Sequence, residues 1–450
     1  MWPSRIGKGH PHEPRSSKIA VARGTNRVCQ GHALGIQADV NLQTNSEGWN
    51  GRLTGGRTVH QVSTYPPTQC GLATFAAATR SALATARPSW GLPVIEVSGG
   101  PKPAEGPRRT EVVGEWRQSN EHSLVTALRR INSGDCLLIQ HEFGIFGGTD
   151  GSEILDLVAA VTCPVVIVLH TVLDAPSASQ RHIIESLGRK AAQLIVLSEV
   201  ARDRLLLHYS IGADSVVVIP HGAHPVPFRI PLSTPRTPVL LTWGLVGPTK
   251  GLERSLLAVA QLRQQGVEVV YEIVGETHPN VRKTDGEGYR KKLQKRAAEL
   301  GIADCVVFDS NYHTVSDLMA IISDADIVLT PYDSRDQITS GVLAEALAAG
   351  KIVISTAYPH AVEMLADGAG FVVDHDDEGA IATVVHRLLE HPEYAQWASR
   401  IALRRGRPML WGAVGEALAS ALEAVISPAA GSDFDYIQGA DMTLTAQAAR

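Results

Sequence analysis

The sequence predicts an α/β fold built from two parallel-sheet domains facing each other across a cleft. Three observations predict it. Short β-rich apolar runs alternate with helical periodicity, the pattern of parallel strands covered on both faces. The alternation stops once, at a proline-rich stretch from Pro220 to Pro238, and then restarts. The length of 450 residues exceeds one ordinary domain.

Taken in order, residues 1–56 are rich in Gly, Ser, Asn and Pro without sustained periodicity and read as a disordered leader. Its first 27 residues hold six Lys/Arg against Glu13 alone, so the competing reading is a basic arm for an anionic membrane surface. The first domain spans 57–230. It opens with a strand over 58–64, the turn Tyr65-Pro66-Pro67 and a helix over 71–83. Strands are expected over 136–140, 165–170, 193–197 and 216–220, with helices over 152–161, 177–189 and 199–208. Residues 231–238 form the linker. The second domain, 239–408, repeats the pattern. Its strands fall over 239–243, 269–274, 305–308, 327–331 and 352–355, and its helices over 251–264, 289–300, 315–323, 341–349 and 379–390. A last helical pattern covers 407–426, and 427–450 reads as a flexible tail.

Composition narrows the function classes. Apolar residues make up 44% and aromatics 5%, so the cores are expected to be built from Ala, Val, Leu and Ile. The net charge of −5 gives no pull toward nucleic acid. Five scattered cysteines without a Cys-x-x-Cys pair argue against a disulfide framework or zinc site and for a reduced cytoplasmic setting. No apolar run approaches the roughly 18 residues of a membrane span.

In such folds the ligand lies at the carboxyl ends of the strands, so the strand-to-helix loops carry the chemistry. The segment Tyr332–Glu345 leaves a strand and opens a helix. Thr339 or Ser340 can cap that helix, Gly341 permits close approach, and the free N–H groups favour an anion. Glu345, four residues after Gly341, shares its helix face about one turn away, roughly 5.4 Å. A diphosphate at the helix start and a ribose diol on Glu345 would fit. Gly244–Gly251 carries Lys250, a point charge for phosphate; the segment lacks the Gly-Lys-[Ser/Thr] ending of a Walker loop. No Gly-x-Gly-x-x-Gly follows either first strand, which argues against a dinucleotide oxidoreductase. Pro66–Gly71 forms a loop on the opposite wall. His170 ends an apolar strand, and His141-Glu142 with Gly144, Gly147 and Gly148 makes a second polar lip. Asp324-Ala325-Asp326 reads as capping and turn residues in place of a metal–diphosphate motif. Arg290–Arg296 reads as a solvated helix face, and a metal site at His221–His224 is not expected.

Jointly these residues resemble the retaining GT-B glycosyltransferases of the large family four, the group 1 glycosyl transferases. The resemblance covers about residues 57–426 and implies two Rossmann-like domains. The family's ribose contact falls on Glu345, followed by the familiar Ala346–Lys351 run. Its diphosphate-cradling amides fall on Ser340 and Gly341, its phosphate lysine on Lys250, its N-domain glycine loop on Gly71, and its strand-end histidine on His170. The helix over 409–426 resembles one that crosses back to the first domain. Two positions depart: the first Glu of the family's pair aligns with Gln337, and the arginine partner of the lysine aligns with Leu245. The contexts Pro66–Phe75, His141–Gly148 and Gln337–Gly341 resemble an exopolysaccharide-associated branch.

The resemblance implies a retaining transfer of a hexose from a nucleotide diphosphate sugar to a saccharide or lipid-linked hydroxyl. His170, Lys250 and Glu345 would be catalytic, and Gly71, Lys250, Gln337, Ser340, Gly341 and Glu345 would hold the donor. No cofactor or obligate metal is expected, and the location would be cytoplasmic or peripheral at the inner membrane face. A sugar phosphorylase, a nucleotide-sugar epimerase and a non-catalytic nucleotide-sugar-binding protein are the competing readings, the last kept open by Gln337 and Leu245.

Overall fold

The computed structural model describes residues 56–99, 109–233 and 235–427; the expected leader and tail lie outside them but for their innermost residues. The first sheet has seven strands: β1 (Val59–Ser63), β2 (Val94–Ser98), β3 (Val112–Arg117), β4 (Cys136–His141), β5 (Val165–Leu169), β6 (Gln193–Val196) and β7 (Val216–Val218). Its helices are α1 (Gly71–Ala86), α2 (Glu121–Ile131), α3 (Ile154–Ala160), α4 (Ala178–Lys190) and α5 (Glu199–His208). The second sheet has six: β8 (Val239–Trp243), β9 (Val270–Val274), β10 (Val306–Asp309), β11 (Ile327–Thr330), β12 (Ile352–Thr356) and β13 (Phe371–Val373). Around it lie α6 (Leu252–Gln264), α7 (Pro279–Asp285), α8 (Gly288–Glu299), α9 (Val315–Asp324), α10 (Gly341–Ala348), α11 (Pro359–Leu365), α12 (Ala380–Glu390) and α13 (Pro392–Gly406), followed by α14 (Trp411–Ile426).

The strand orders are β3-β2-β1-β4-β5-β6-β7 and β10-β9-β8-β11-β12-β13, and every pairing is parallel. Each order reverses beside its first strand, at β1/β4 and at β8/β11. Those are the two crevices where a doubly wound sheet binds ligands.

Strand periodicity builds the N-terminal cores. Leu137, Ile139, Ile167 and Leu169 face one layer with Ile183, Ile184 and Leu187 of α4. Their neighbours Leu138, Val166 and Val168 face the other layer, which α1 shares with Val414, Leu418 and Leu422 of α14. The C-terminal helix therefore completes the core of the first domain. A Cβ on Gly415 would lie 2.7 Å from the Ala82 carbonyl oxygen, so glycine permits the close α1–α14 crossing. Arg87 ties the pair by reaching Glu416 at 2.8 Å and Glu423 at 2.7 Å.

In the second domain the Asp-x-Asp segment is structural. Asp326 accepts from the Leu232 and Val239 amides at 3.1 and 3.0 Å and meets Arg236 at 2.9 Å, pinning the linker to β11. The buried Lys351 ammonium donates to the Ser323 and Ala325 carbonyls, both at 2.8 Å, at the end of α9. Burial pushes its pKa down to about 8.

The structure adds β2, β3, α2, α7, α11, β13 and α13 to the elements expected from the sequence. Contrary to expectation, Arg290 does not belong to a solvated face: it is 6% exposed and donates to the Gly275 carbonyl at 2.6 Å. Tyr289, Leu293 and Ala297 are buried as the apolar side of that helix.

Candidate donor site

The C-terminal wall is made by the loops after β8 and β11. The first ends in a single tight turn, Pro248–Lys250, and Gly251 follows with φ 57. A Cβ there would meet the Pro331 carbonyl oxygen, so glycine lets the two loops touch. The Asp333 amide donates to the Thr249 carbonyl at 3.0 Å, closing the same contact. Lys250 lies with its ammonium 4.0 Å from the centroid of Tyr332, which stacks on Tyr358 at 5.3 Å. Lys250 makes no ion pair with any described residue. Burial lowers its pKa to about 8. Held by an aromatic face and no carboxylate, it is a cation in want of an anion.

The helix opened by the second loop is α10. Ser340 caps it, its hydroxyl accepting from the Leu343 amide at 3.3 Å. The Ser340 amide does not face an open anion site, contrary to expectation: it donates to His360 Nδ1 at 3.0 Å. His360, at the start of α11, must be neutral at Nδ1 to accept, and burial drives its pKa down to about 3. Gln337 donates Nε2–H to the Thr339 carbonyl at 2.8 Å and accepts from the His360 amide at 3.2 Å.

Gly341 is also covered. A Cβ on it would lie 2.8 Å from His221 Cε1 and 2.9 Å from Nε2. His221 sits edge-on to Phe75 of α1, with ring centroids 4.9 Å apart, and its Nδ1 meets the Gly222 carbonyl at 2.8 Å. The imidazole thus fills the space between the α10 start and the first domain. From the sequence, His221 and His224 are expected to belong to the segment leading into the linker and not to form a metal site. His224 Nδ1 lies 3.4 Å from Glu345 Oε1, and Trp243 at the end of β8 donates Nε1–H to Oε2 at 3.2 Å. Glu345 is therefore held at the β8/β11 switch point, its side chain 17% exposed.

On the N-terminal wall, His170 at the end of β5 meets Phe75 edge-on at 4.7 Å. Its Nε2–H donates to Gln140 Oε1 at 2.8 Å, which leaves Nδ1 as an acceptor. Burial, with His221 and His141 adding to it, pushes its pKa to about 3, so the ring is neutral. Phe75 joins His170 to His221 and so links both walls. Gly71 opens α1 one turn earlier and is exposed, with open space where a Cβ would stand. His141 is fully buried against Phe146, and Glu142 accepts from the Thr171 hydroxyl at 2.6 Å. Among the described residues no cluster of three or more metal-ligating side chains occurs, and no helix is long and apolar enough to cross a membrane.

Residues 228–404 match the family model of glycosyl transferases group 1. A D-inositol 3-phosphate glycosyltransferase of Streptomyces avermitilis is 28% identical over 267 residues, 56% of each chain. A GDP-mannose-dependent phosphatidylinositol monomannoside mannosyltransferase of Mycolicibacterium smegmatis is 32% identical over 164 residues, 35% of this chain and 40% of its own. The chain thus spans about half the length of the curated relatives it matches. Sucrose-phosphate synthase of Thermosynechococcus elongatus superposes with TM-score 0.63 at 16% identity, covering 82% of this chain and 98% of its own. Anabaena HepE, solved with UDP and glucose, gives TM-score 0.63 at 15% identity over 82% and 100%. The fold is GT-B.

Proposed function

We propose that this chain, whose residues 228–404 belong to the group 1 glycosyl transferases, transfers a hexose from a nucleotide diphosphate sugar to a saccharide or lipid-linked hydroxyl acceptor with retention at the anomeric carbon. One observation carries the reading. The unpaired Lys250 cation stands on Tyr332, in the same switch-point crevice as the α10 start and Glu345. That crevice offers a positive charge to a diphosphate and a carboxylate to a ribose diol.

The chemistry asks for charge at two places. The anomeric C–O bond to the diphosphate would break through an oxocarbenium-like state as the acceptor oxygen bonds to the anomeric carbon, the acceptor's proton leaving with the diphosphate oxygen. Lys250 would stabilise the departing diphosphate. Glu345 would fix the ribose, and the neutral His170 would accept from a donor-sugar hydroxyl. The acceptor would bind along His141–Gly148. His170, neutral by burial, and the Gln337 side chain would offer hydrogen bonds to a sugar without adding charge.

Thermal-shift titration with UDP, GDP and ADP tests the binding half of the proposal. One nucleotide should raise Tm in the intact protein, and Lys250→Ala and Glu345→Ala should each abolish the shift at the same concentration. Equal shifts in all three proteins would move the nucleotide site elsewhere.

A further inference from the structure

Segment 336–340, between β11 and α10, is gripped from outside its own domain. Arg204 of α5 pairs with the Asp336 carboxylate at 2.7 Å. The same guanidinium donates to the Asp336 and Val172 carbonyls, both at 3.2 Å. Ser198 donates its hydroxyl to the Ile338 carbonyl at 2.7 Å. The Ile338 side chain, 4% exposed, packs in the core of the N-terminal domain. A residue of the donor loop thus serves as a core residue of the opposite domain.

The third point of the grip is α11. Glu363 accepts from the Glu199 and Val200 amides at 3.1 and 2.9 Å. These are the first two amides of α5, which have no partner inside their own helix, and a carboxylate there also meets the positive end of the helix dipole. Ser198 satisfies the third amide, Ala201, at 3.2 Å. One turn earlier α11 holds the loop directly, through His360 to Gln337 and Ser340.

We infer that Arg204 and Glu363 are positioning residues, forming a clasp that shapes the donor loop only when the domains are closed. The inference rests on the proposed donor site. If the domains part, Ile338 leaves the first core, Asp336 loses its cation, and the loop carrying Gln337 and the α10 cap loses three of its anchors. Closure and formation of the donor site are then one event, which gives the enzyme a means of holding its donor loop only in the water-excluding state. The Arg204 side chain is 10% exposed and that of Asp336 53%, so solvent screens the carboxylate side of the pair and the grip rests also on the Ser198 hydrogen bond and the Ile338 packing.

The test uses the full chain with Arg204→Ala, Asp336→Ala, their double variant, Arg204→Lys and Glu363→Gln. Kinetics with the nucleotide sugar that the wild type turns over should show donor KM raised about tenfold in each alanine variant. The double variant should be no worse than the weaker single, and Arg204→Lys should recover part of the loss. Small-angle scattering should show a larger radius of gyration for Arg204→Ala and Glu363→Gln than for wild type, with nucleotide reversing part of it. Losses that multiply in the double variant, or unchanged KM and radius in all variants, would overturn the clasp. Expansion of the variants alongside a wild type that turns over no donor would sustain the clasp and sink the proposed activity instead.

Discussion

Gly341→Ala is the sharpest perturbation the geometry offers. At the first turn of a helix the change ordinarily helps: alanine exceeds glycine by about 0.5–1 kcal/mol in helix interiors, with less expected at an end. Here the new Cβ would stand 2.8 and 2.9 Å from two atoms of the His221 ring. The ring cannot simply retreat, because Phe75 packs on it at 4.9 Å and the Gly222 carbonyl holds its Nδ1 at 2.8 Å. Overpacking of this kind costs about 1–3 kcal/mol, so the net change should be a loss of about 1–2 kcal/mol. In a His221→Ala background the obstacle is gone, and the same glycine replacement should be neutral or slightly stabilising. Urea unfolding of the four proteins closes the cycle, with an expected coupling of about 1–3 kcal/mol. Equal costs of Gly341→Ala in both backgrounds, with a coupling under about 0.5 kcal/mol, would refute the claim that His221 occupies the mouth of α10.

Other outcomes follow from the same side chains. Lys250 titrates near 8 when free, and a diphosphate favours its charged form; calorimetric nucleotide affinity should hold steady below pH 8 and fall up to tenfold per unit above it. Lys250→Met should be weaker at every pH and flat across that range. The buried His141 and His360 and the half-buried His170 have folded values near 3, far below the unfolded value near 6.5. Their neutral forms favour the fold fully above about 6.5, and that contribution is lost as pH falls from there toward 3, by up to about 1.4 kcal/mol per unit for each ring. Unfolding midpoints in urea should therefore drop steeply between pH 6 and 4, and a flat profile would contradict the burial of these rings. Gln337→Glu removes the Nε2–H that holds the Thr339 carbonyl at 2.8 Å; sugar-transfer assays should show no strong gain, and a large gain would mean that Gln337 impairs the site.

The fold was legible wherever one strand or helix could be read from its own residues. The fully buried β5 is an unbroken apolar run, β4 is apolar up to Gln140, and α5 spans the 199–208 range read from its own residues. The edge of the first sheet was not legible, because β3 is half-exposed and carries Gly114, Glu115 and Arg117. The start of α11 was signalled by Pro359 at its first turn, a signal outweighed by the shortness of the helix. The candidate site splits in the same way. Lys250 and Ser340 sit at loop-to-helix junctions and Glu345 one turn into α10, and all three are local features. The covering of Gly341 by His221 and the seizure of the Ser340 amide by His360 depend on contacts across 120 and 20 positions, which no spacing rule reaches. Arg204 and Asp336 are 132 apart and pair only because two sheets bring α5 to the donor loop.

The most direct test of the account is incubation of the intact protein with a panel of labelled nucleotide sugars. The account predicts that at least one donor is hydrolysed or transferred, and that Lys250→Ala and Glu345→Ala abolish the turnover while remaining folded. Tight donor binding without turnover by the intact protein would contradict it and leave a nucleotide-sugar-binding protein in its place.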